Sequence, residues 1–100
     1  MKNKPKYLVR AESYLAENGH VLVRTNVTLR YMFDDAKAML RYTRLESCHP
    51  AERALANEQF RSMCDAISGG AGPRAYRHWQ RLDCTFQGVN EKVKRRLFAA

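Results

Sequence analysis

The chain has 100 residues, of which 45% are hydrophobic and 28% charged, and its formal net charge is +8. That length predicts one domain over residues 1–100, and the composition is typical of a folded protein rather than a disordered one. No apolar run approaches the roughly 18 residues that cross a bilayer, so we expect no membrane partner. Three cysteines without a disulfide-like spacing indicate reduced thiols in a cytoplasm.

The first third of the chain predicts a β-hairpin, preceded by a disordered basic tail over residues 1–6. Apolar and polar residues alternate between Tyr7 and Phe33 around Asn18-Gly19, a dipeptide that favours a type I′ turn. The competing interpretation is a short helix from Ala11 to Asn18, which Gly19 would end as a left-handed cap. The hairpin would pair Tyr14 with Val23, Arg10 with Val27 and Leu8 with Leu29, and apolar side chains lie opposite each other in the first and third of these pairs.

The period of the apolar residues changes from two to 3.6 near Phe33, and two helices are predicted beyond it. The first lies near residues 35–46, with Asp34 or Asp35 as its cap. The second lies near residues 50–68, starts at Pro50 and stops at Gly69. The predicted core stripes are Ala36, Met39, Leu40 and Thr43 in the first helix, and Ala56, Phe60, Met63, Cys64 and Ile67 in the second.

Residues 75–86 fit a helix better than a strand, because Tyr76, Trp79, Leu82 and Phe86 then share a face. Gly88 is expected to break this helix, and Asn90 to cap a short basic helix that ends near Phe98. The predicted fold class is therefore α+β, with an N-terminal β-hairpin packed on two to four short helices. An all-α fold is the alternative.

The densest cluster of glycine and proline forms a predicted surface loop over residues 69–74. Glycine adopts positive φ freely and proline fixes φ while removing a donor, so a helix or central strand is not expected to cross it. An exposed X-Pro bond on flexible backbone is a suitable contact for another protein, with a plain connector as the alternative. The predicted partner-binding residues are Gly70, Ala71, Gly72, Pro73 and Arg74.

Positive charge is concentrated after this loop, where residues 71–100 carry +5 of the net +8. Such a concentration indicates an anionic partner, either an acidic protein surface or nucleic acid, and the alternative is a solvated face. Tyr76 and Trp79 would then stack on bases if they are not core residues. The predicted basic surface comprises Arg77, Arg81, Lys92, Lys94, Arg95 and Arg96.

No set of residues indicates catalysis. The chain has no phosphate-binding glycine loop followed by Lys and Ser or Thr, and no nucleophile elbow. Cys48 and His49 are adjacent but lack the Cys-x-x-Cys spacing of a zinc site. We therefore expect no catalytic residues, no metal and no cofactor.

The Ala71-Gly72-Pro73 segment resembles the loop by which lentiviral capsid proteins are held in cyclophilins. Together with the length, the charge and the lack of a catalytic set, it makes the chain similar to the anti-RecBCD proteins of lambdoid phages. That resemblance implies a protein of the host cytoplasm that binds RecBCD through its RecC subunit and favours phage recombination. It also implies that Pro73 contacts a host prolyl isomerase. The alternative function is a small basic regulator that binds nucleic acid.

Overall fold

The computed structural model describes residues 3–99. Within that range the chain forms four helices and one two-stranded antiparallel hairpin, and the helices dominate the fold. The predicted tail is only partly described, since residues 1 and 2 lie outside this range, and helix begins already at Lys6. In chain order the elements are α1 (Lys6–Asn18), β1 (Leu22–Arg24), β2 (Val27–Thr28), α2 (Leu29–Glu46), α3 (Pro50–Ser68) and α4 (Gly72–Phe98).

The predicted strand that begins at Tyr7 is wrong, because those residues form α1. Ala11 and Leu15 are buried on one side of this helix, and Tyr7, Leu8 and Tyr14 pack beside them. Apolar residues at these spacings fit a helical face better than a strand. The alternative prediction, a helix from Ala11 to Asn18 ended by Gly19, is closer to the structure. Gly19 nevertheless has φ −59°, so it is not a left-handed cap.

The hairpin exists, but it lies later in the chain and turns at Thr25-Asn26 instead of Asn18-Gly19. Asn26 has φ 66°, which asparagine tolerates better than most residues. Leu22 pairs with Thr28 and Arg24 with Val27, so the predicted register is wrong. Val23 and Val27 turn towards the core, and they fix the small hairpin on the helices.

The second helix starts earlier than predicted, at Leu29, so the predicted cap at Asp34 or Asp35 is wrong. The Thr28 side chain is the cap, because its Oγ1 accepts a hydrogen bond from the Tyr31 N–H at 3.0 Å. The predicted stripe from Ala36 to Thr43 is buried as expected, and four more residues extend the buried side of the helix. Those residues are Leu29, Met32, Phe33 and, beside the stripe, the partly buried Asp35.

The third helix confirms its prediction, with Pro50 in its first turn and every residue of the predicted stripe buried. Phe60 lies at the centre of the core. Its ring centroid is 5.9 Å from that of Phe33 and 6.4 Å from that of Tyr7, so α1, α2 and α3 meet at this side chain.

The fourth helix is continuous through Gly88, so the predicted break there and the cap at Asn90 are wrong. The helical prediction for residues 75–86 is confirmed. Val89 is buried, and the Phe86 ring packs on Tyr42 at 5.1 Å between centroids. The Tyr42 hydroxyl also donates to the Asn90 side chain at 3.0 Å. These contacts hold the second half of α4 on α2 and offset the cost of about 1 kcal/mol for glycine inside a helix.

The fold is thus closer to the all-α alternative than to a fold organised around an N-terminal hairpin, and the hairpin is a small addition to four helices. One hydrophobic core contains side chains from all four helices. No helix among residues 3–99 combines the length and the apolar character that a membrane span requires.

Candidate partner-binding surface

The connection between α3 and α4 is a tight turn of three residues, Gly69 to Ala71, rather than a loop over 69–74. Gly70 has φ +73°, its N–H donates to the Ile67 carbonyl at 3.0 Å, and the Ala71 N–H donates to the Ala66 carbonyl at 2.9 Å. These two bonds and the left-handed residue define a Schellman motif. The left-handed backbone at position 70 favours glycine, and the two hydrogen bonds hold the turn.

Pro73 is exposed, as predicted, but it lies in the first turn of α4. Proline suits this position because the first helical N–H groups have no intrahelical acceptor. Gly72 packs against the hairpin, since a Cβ there would lie 3.3 Å from Val23 Cγ1. The hairpin therefore covers one side of the Gly72-Pro73 segment.

A basic face of α4, formed by Arg74, Arg77, His78 and Arg81, follows this proline. The arginines are exposed, and none of them forms a salt bridge within residues 3–99. Burial lowers the pKa of His78, and the charges of Arg81, Arg74 and Arg77 lower it further. The three cations are thus close enough to act on one imidazole, and their combined field favours an anion.

The hairpin adds a fourth cation, Arg24, which the sequence patterns did not indicate as a site residue. The guanidinium carbon of Arg24 lies 4.8 Å from the centroid of the Tyr76 ring, in a cation–π contact. A cleft of about 470 Å³ lies here between the hairpin and the first turns of α4. It is lined by Val23, Arg24, Pro73, Tyr76, Arg77 and Gln80.

Tyr76 and Trp79, the aromatic residues predicted to stack on bases, make contacts within the protein. Trp79 Nε1 donates to Asp35 Oδ2 at 2.9 Å, and its ring contacts Tyr31 and Tyr76 edge to face. Tyr76 is covered by Arg24. A base could stack on these rings only if those contacts were broken.

The predicted basic residues near the C-terminus differ from the basic face in their contacts. Lys92 Nζ lies 3.1 Å from a Glu52 carboxylate oxygen, and Lys94 Nζ lies 3.9 Å from one of Glu91. Arg96 donates to the Glu46 carbonyl oxygen at 3.3 Å. These three cations have anionic or polar partners in their own chain, whereas the arginines of the basic face form no salt bridge among the described residues.

The α2–α3 connection receives this C-terminal end of α4. Glu52 accepts a hydrogen bond from the Ser47 hydroxyl at 2.6 Å, and this bond, together with Lys92, lowers the pKa of the carboxyl group against the effect of burial. The Arg96 guanidinium also approaches Cys48 Sγ at 3.6 Å. The network fastens α4 to the end of α2.

The thiols lie apart from one another. Cys64 is in the core, where burial raises the pKa of the thiol to about 12, so it is not a thiolate at neutral pH. Cys48 and Cys84 are exposed, and neither forms a disulfide bond. Among the described residues, no three His, Cys, Asp or Glu side chains are grouped as metal ligands.

The chain has no significant match among protein-family models, curated proteins or solved structures. Its function must therefore be inferred from its own residues. Sequence patterns located Pro73 and the arginines of the basic face, but they missed Arg24. The Val-Arg-Thr-Asn-Val segment, with a turn-forming asparagine between β-branched residues, was the available signal for a hairpin at that place.

Proposed function

We propose that this chain is a non-enzymatic protein of the bacterial cytoplasm that binds a larger partner through the basic face of α4. The resemblance to the anti-RecBCD proteins of lambdoid phages implies that this partner is the host RecBCD nuclease-helicase. The chain would bind its RecC subunit and modulate the enzyme in favour of phage recombination. The observation that carries the proposal is the set of three exposed arginines without a carboxylate partner in the described chain. Unpaired cations accelerate encounter with an anionic surface more than they stabilise a fold.

The test compares two double variants that remove equal charge. Arg77→Gln with Arg81→Gln removes unpaired cations, whereas Lys92→Gln with Lys94→Gln removes cations that are paired within the chain. Association with purified RecBCD is measured by biolayer interferometry at low salt. We expect the first pair to slow association severalfold and the second pair to have much less effect.

Two results would contradict the proposal in different ways. Equal slowing by both pairs would show that net charge, rather than the basic face, determines the encounter. No association of the wild-type chain with RecBCD at any salt concentration would reject the named partner, and the nuclease activity of RecBCD would then also be unchanged by the protein.

Direct nucleic-acid binding is the second candidate, because the same arginines can contact phosphates. Because the rings of Trp79 and Tyr76 are already in contact with other protein side chains, a contact with the phosphate backbone is favoured over the base stacking of single-strand binding proteins. The logarithm of the affinity for duplex DNA would then fall linearly with the logarithm of the salt concentration, with a slope proportional to the number of phosphates neutralised. A protein interface with an apolar centre would weaken less steeply.

The exposed Pro73 supports the proposed contact with a cyclophilin-type prolyl isomerase. Ala71 caps α4 without a side-chain hydrogen bond, and the Gly72-Pro73 bond that follows it is the proposed contact. Pro73→Ala should abolish capture of a bacterial cyclophilin and leave the fold intact. Pro50→Ala is the matched control, because Pro50 is also exposed in the first turn of a helix. Equal capture of both variants would reject Pro73 as the contact.

A further inference from the structure

A second surface lies away from the basic face, where the start of α1 crosses α2 and α3. A groove of about 330 Å³ opens there, and its apolar part is formed by Leu8, Leu40 and Phe60. Leu45 stands at its edge with 75% of its surface exposed. Leucine exposed to that extent beside an apolar groove is typical of an interaction site when polar residues border it.

The border of this groove is cationic. Lys37, Arg41 and Arg44 follow one another along α2 at spacings of four and three, so they lie on one side of the helix. The Nε of Arg44 donates to Asn57 Oδ1 at 2.8 Å, which holds this guanidinium in place. No described Asp or Glu lines the groove. An acidic ligand would therefore meet no competing carboxylate along this border.

We propose that this groove binds an acidic amphipathic peptide segment of a partner protein. Apolar side chains of the segment enter the space between Leu8, Leu40 and Leu45, and its carboxylates pair with the cations along α2. The volume of the groove lies at the low end of the ~300–1,000 Å³ range of small-molecule pockets, and it is large enough to hold a few side chains of a peptide. A helix that places anchors three or four residues apart presents such a pattern.

A second copy of this chain fits the groove poorly. Each copy has a net charge of +8, and the exposed apolar residues Leu97 and Phe98 directly follow Arg95 and Arg96. Docking that end into the groove of another copy would bring cations against cations. The groove therefore favours an acidic partner, and it uses none of the residues of the basic face, so this inference goes beyond the proposed function.

The test uses a random display library of peptides roughly 12 residues long, enough for about three helical turns. The library is selected on the immobilised wild-type chain, and selected peptides are measured by fluorescence anisotropy. We expect Leu, Ile or Phe at spacings of three or four, with Asp and Glu between them. Leu45→Glu and Arg41→Glu should each weaken binding roughly tenfold or more, since each sets repulsion against the acidic peptide.

Leu55→Glu and Arg81→Glu are the matched controls, because they make the same changes at an exposed leucine and an exposed arginine outside the groove. Both should keep wild-type affinity for the selected peptides, and circular dichroism checks that all four variants fold.

Three outcomes would overturn the inference. Selected peptides without acidic enrichment would reject the charge argument. Loss of binding in Arg81→Glu but not in Arg41→Glu would assign the peptides to the basic face, and the proposed function would stand. A wild-type dimer in sedimentation that Leu45→Glu dissociates would assign the groove to a second copy.

Discussion

Gly88 offers a sharp test of the continuous fourth helix. It lies in the interior of α4 and is exposed, and apart from its own stretch of helix backbone no atom lies within 4 Å of the position that a Cβ would take. Gly88→Ala should therefore add no contact and no clash, and it should only reduce the conformational entropy of the unfolded chain. The expected stabilisation is about 0.5–1 kcal/mol. For a domain of this size the melting temperature should rise by roughly 2–8 °C.

The measurement is thermal and urea denaturation followed by far-ultraviolet circular dichroism. Gly70→Ala serves as the opposite case, because Gly70 has φ +73° and a left-handed residue other than glycine costs about 1–2 kcal/mol. If Gly88→Ala also destabilises the chain, residue 88 has a left-handed backbone and ends a helix. The helix would then be broken where the sequence pattern predicted the break.

Four further outcomes follow from the packing and the charges. Phe60→Ala should cost about 3–5 kcal/mol, because the ring is 3% exposed at the junction of three helices, and an unchanged melting temperature would show that it is not core. Trp79→Phe removes the hydrogen bond to the Asp35 carboxylate and should cost about 1–3 kcal/mol in urea denaturation; no loss would mean that the bond is absent in solution. The pKa of His78 is lowered in the folded chain, so the unfolded chain binds the proton more readily and stability should fall as pH drops below about 6.5, its ordinary pKa. His78→Gln should reduce that acid-side loss, and an identical pH profile would exclude His78 as its source. Arg96→Gln should lower the melting temperature slightly by freeing the end of α4, whereas no change would show that the contacts of Arg96 are not stabilising.

Local patterns predicted the third helix well, because its signals agree. Pro50 starts it, a regular apolar stripe follows, and glycines end it, so no competing structure fits residues 50–68 equally well. The same locality explains the success at the basic face. Arg74, Arg77 and Arg81 share a side of any helix through residues 75–86, whatever the helix packs against.

The N-terminal prediction failed because two periods fit the same residues. Apolar and polar residues alternate between Val21 and Thr28, but only five of these residues belong to the two strands. The residues before Gly19 bury Ala11 and Leu15 against α3, and this packing selects the helix. Propensity and turn preference cannot reveal that contact, since it depends on the distant partner surface.

The prediction for the fourth helix failed for the converse reason. Gly88 disfavours helix locally, but contacts with residues far away in sequence outweigh it. Phe86, Val89 and Asn90 on either side of it are held by α2 or by the core. A glycine with open space around it adds nothing to that packing. It lowers the stability of α4 without changing its course.

The continuous helix also changes what the C-terminal charges mean. Lys94, Arg95 and Arg96 form one basic group in the sequence, which suggests reversing all three charges together to test binding. The contacts divide them, since Arg96 donates to the Glu46 carbonyl oxygen of α2, whereas Lys94 Nζ lies 3.9 Å from a carboxylate oxygen of Glu91 on its own helix. A triple reversal would therefore disturb the anchoring of α4 together with its charge. Variants at Arg77 and Arg81 separate binding from stability more cleanly, because those side chains have no ion pair in the described chain to lose.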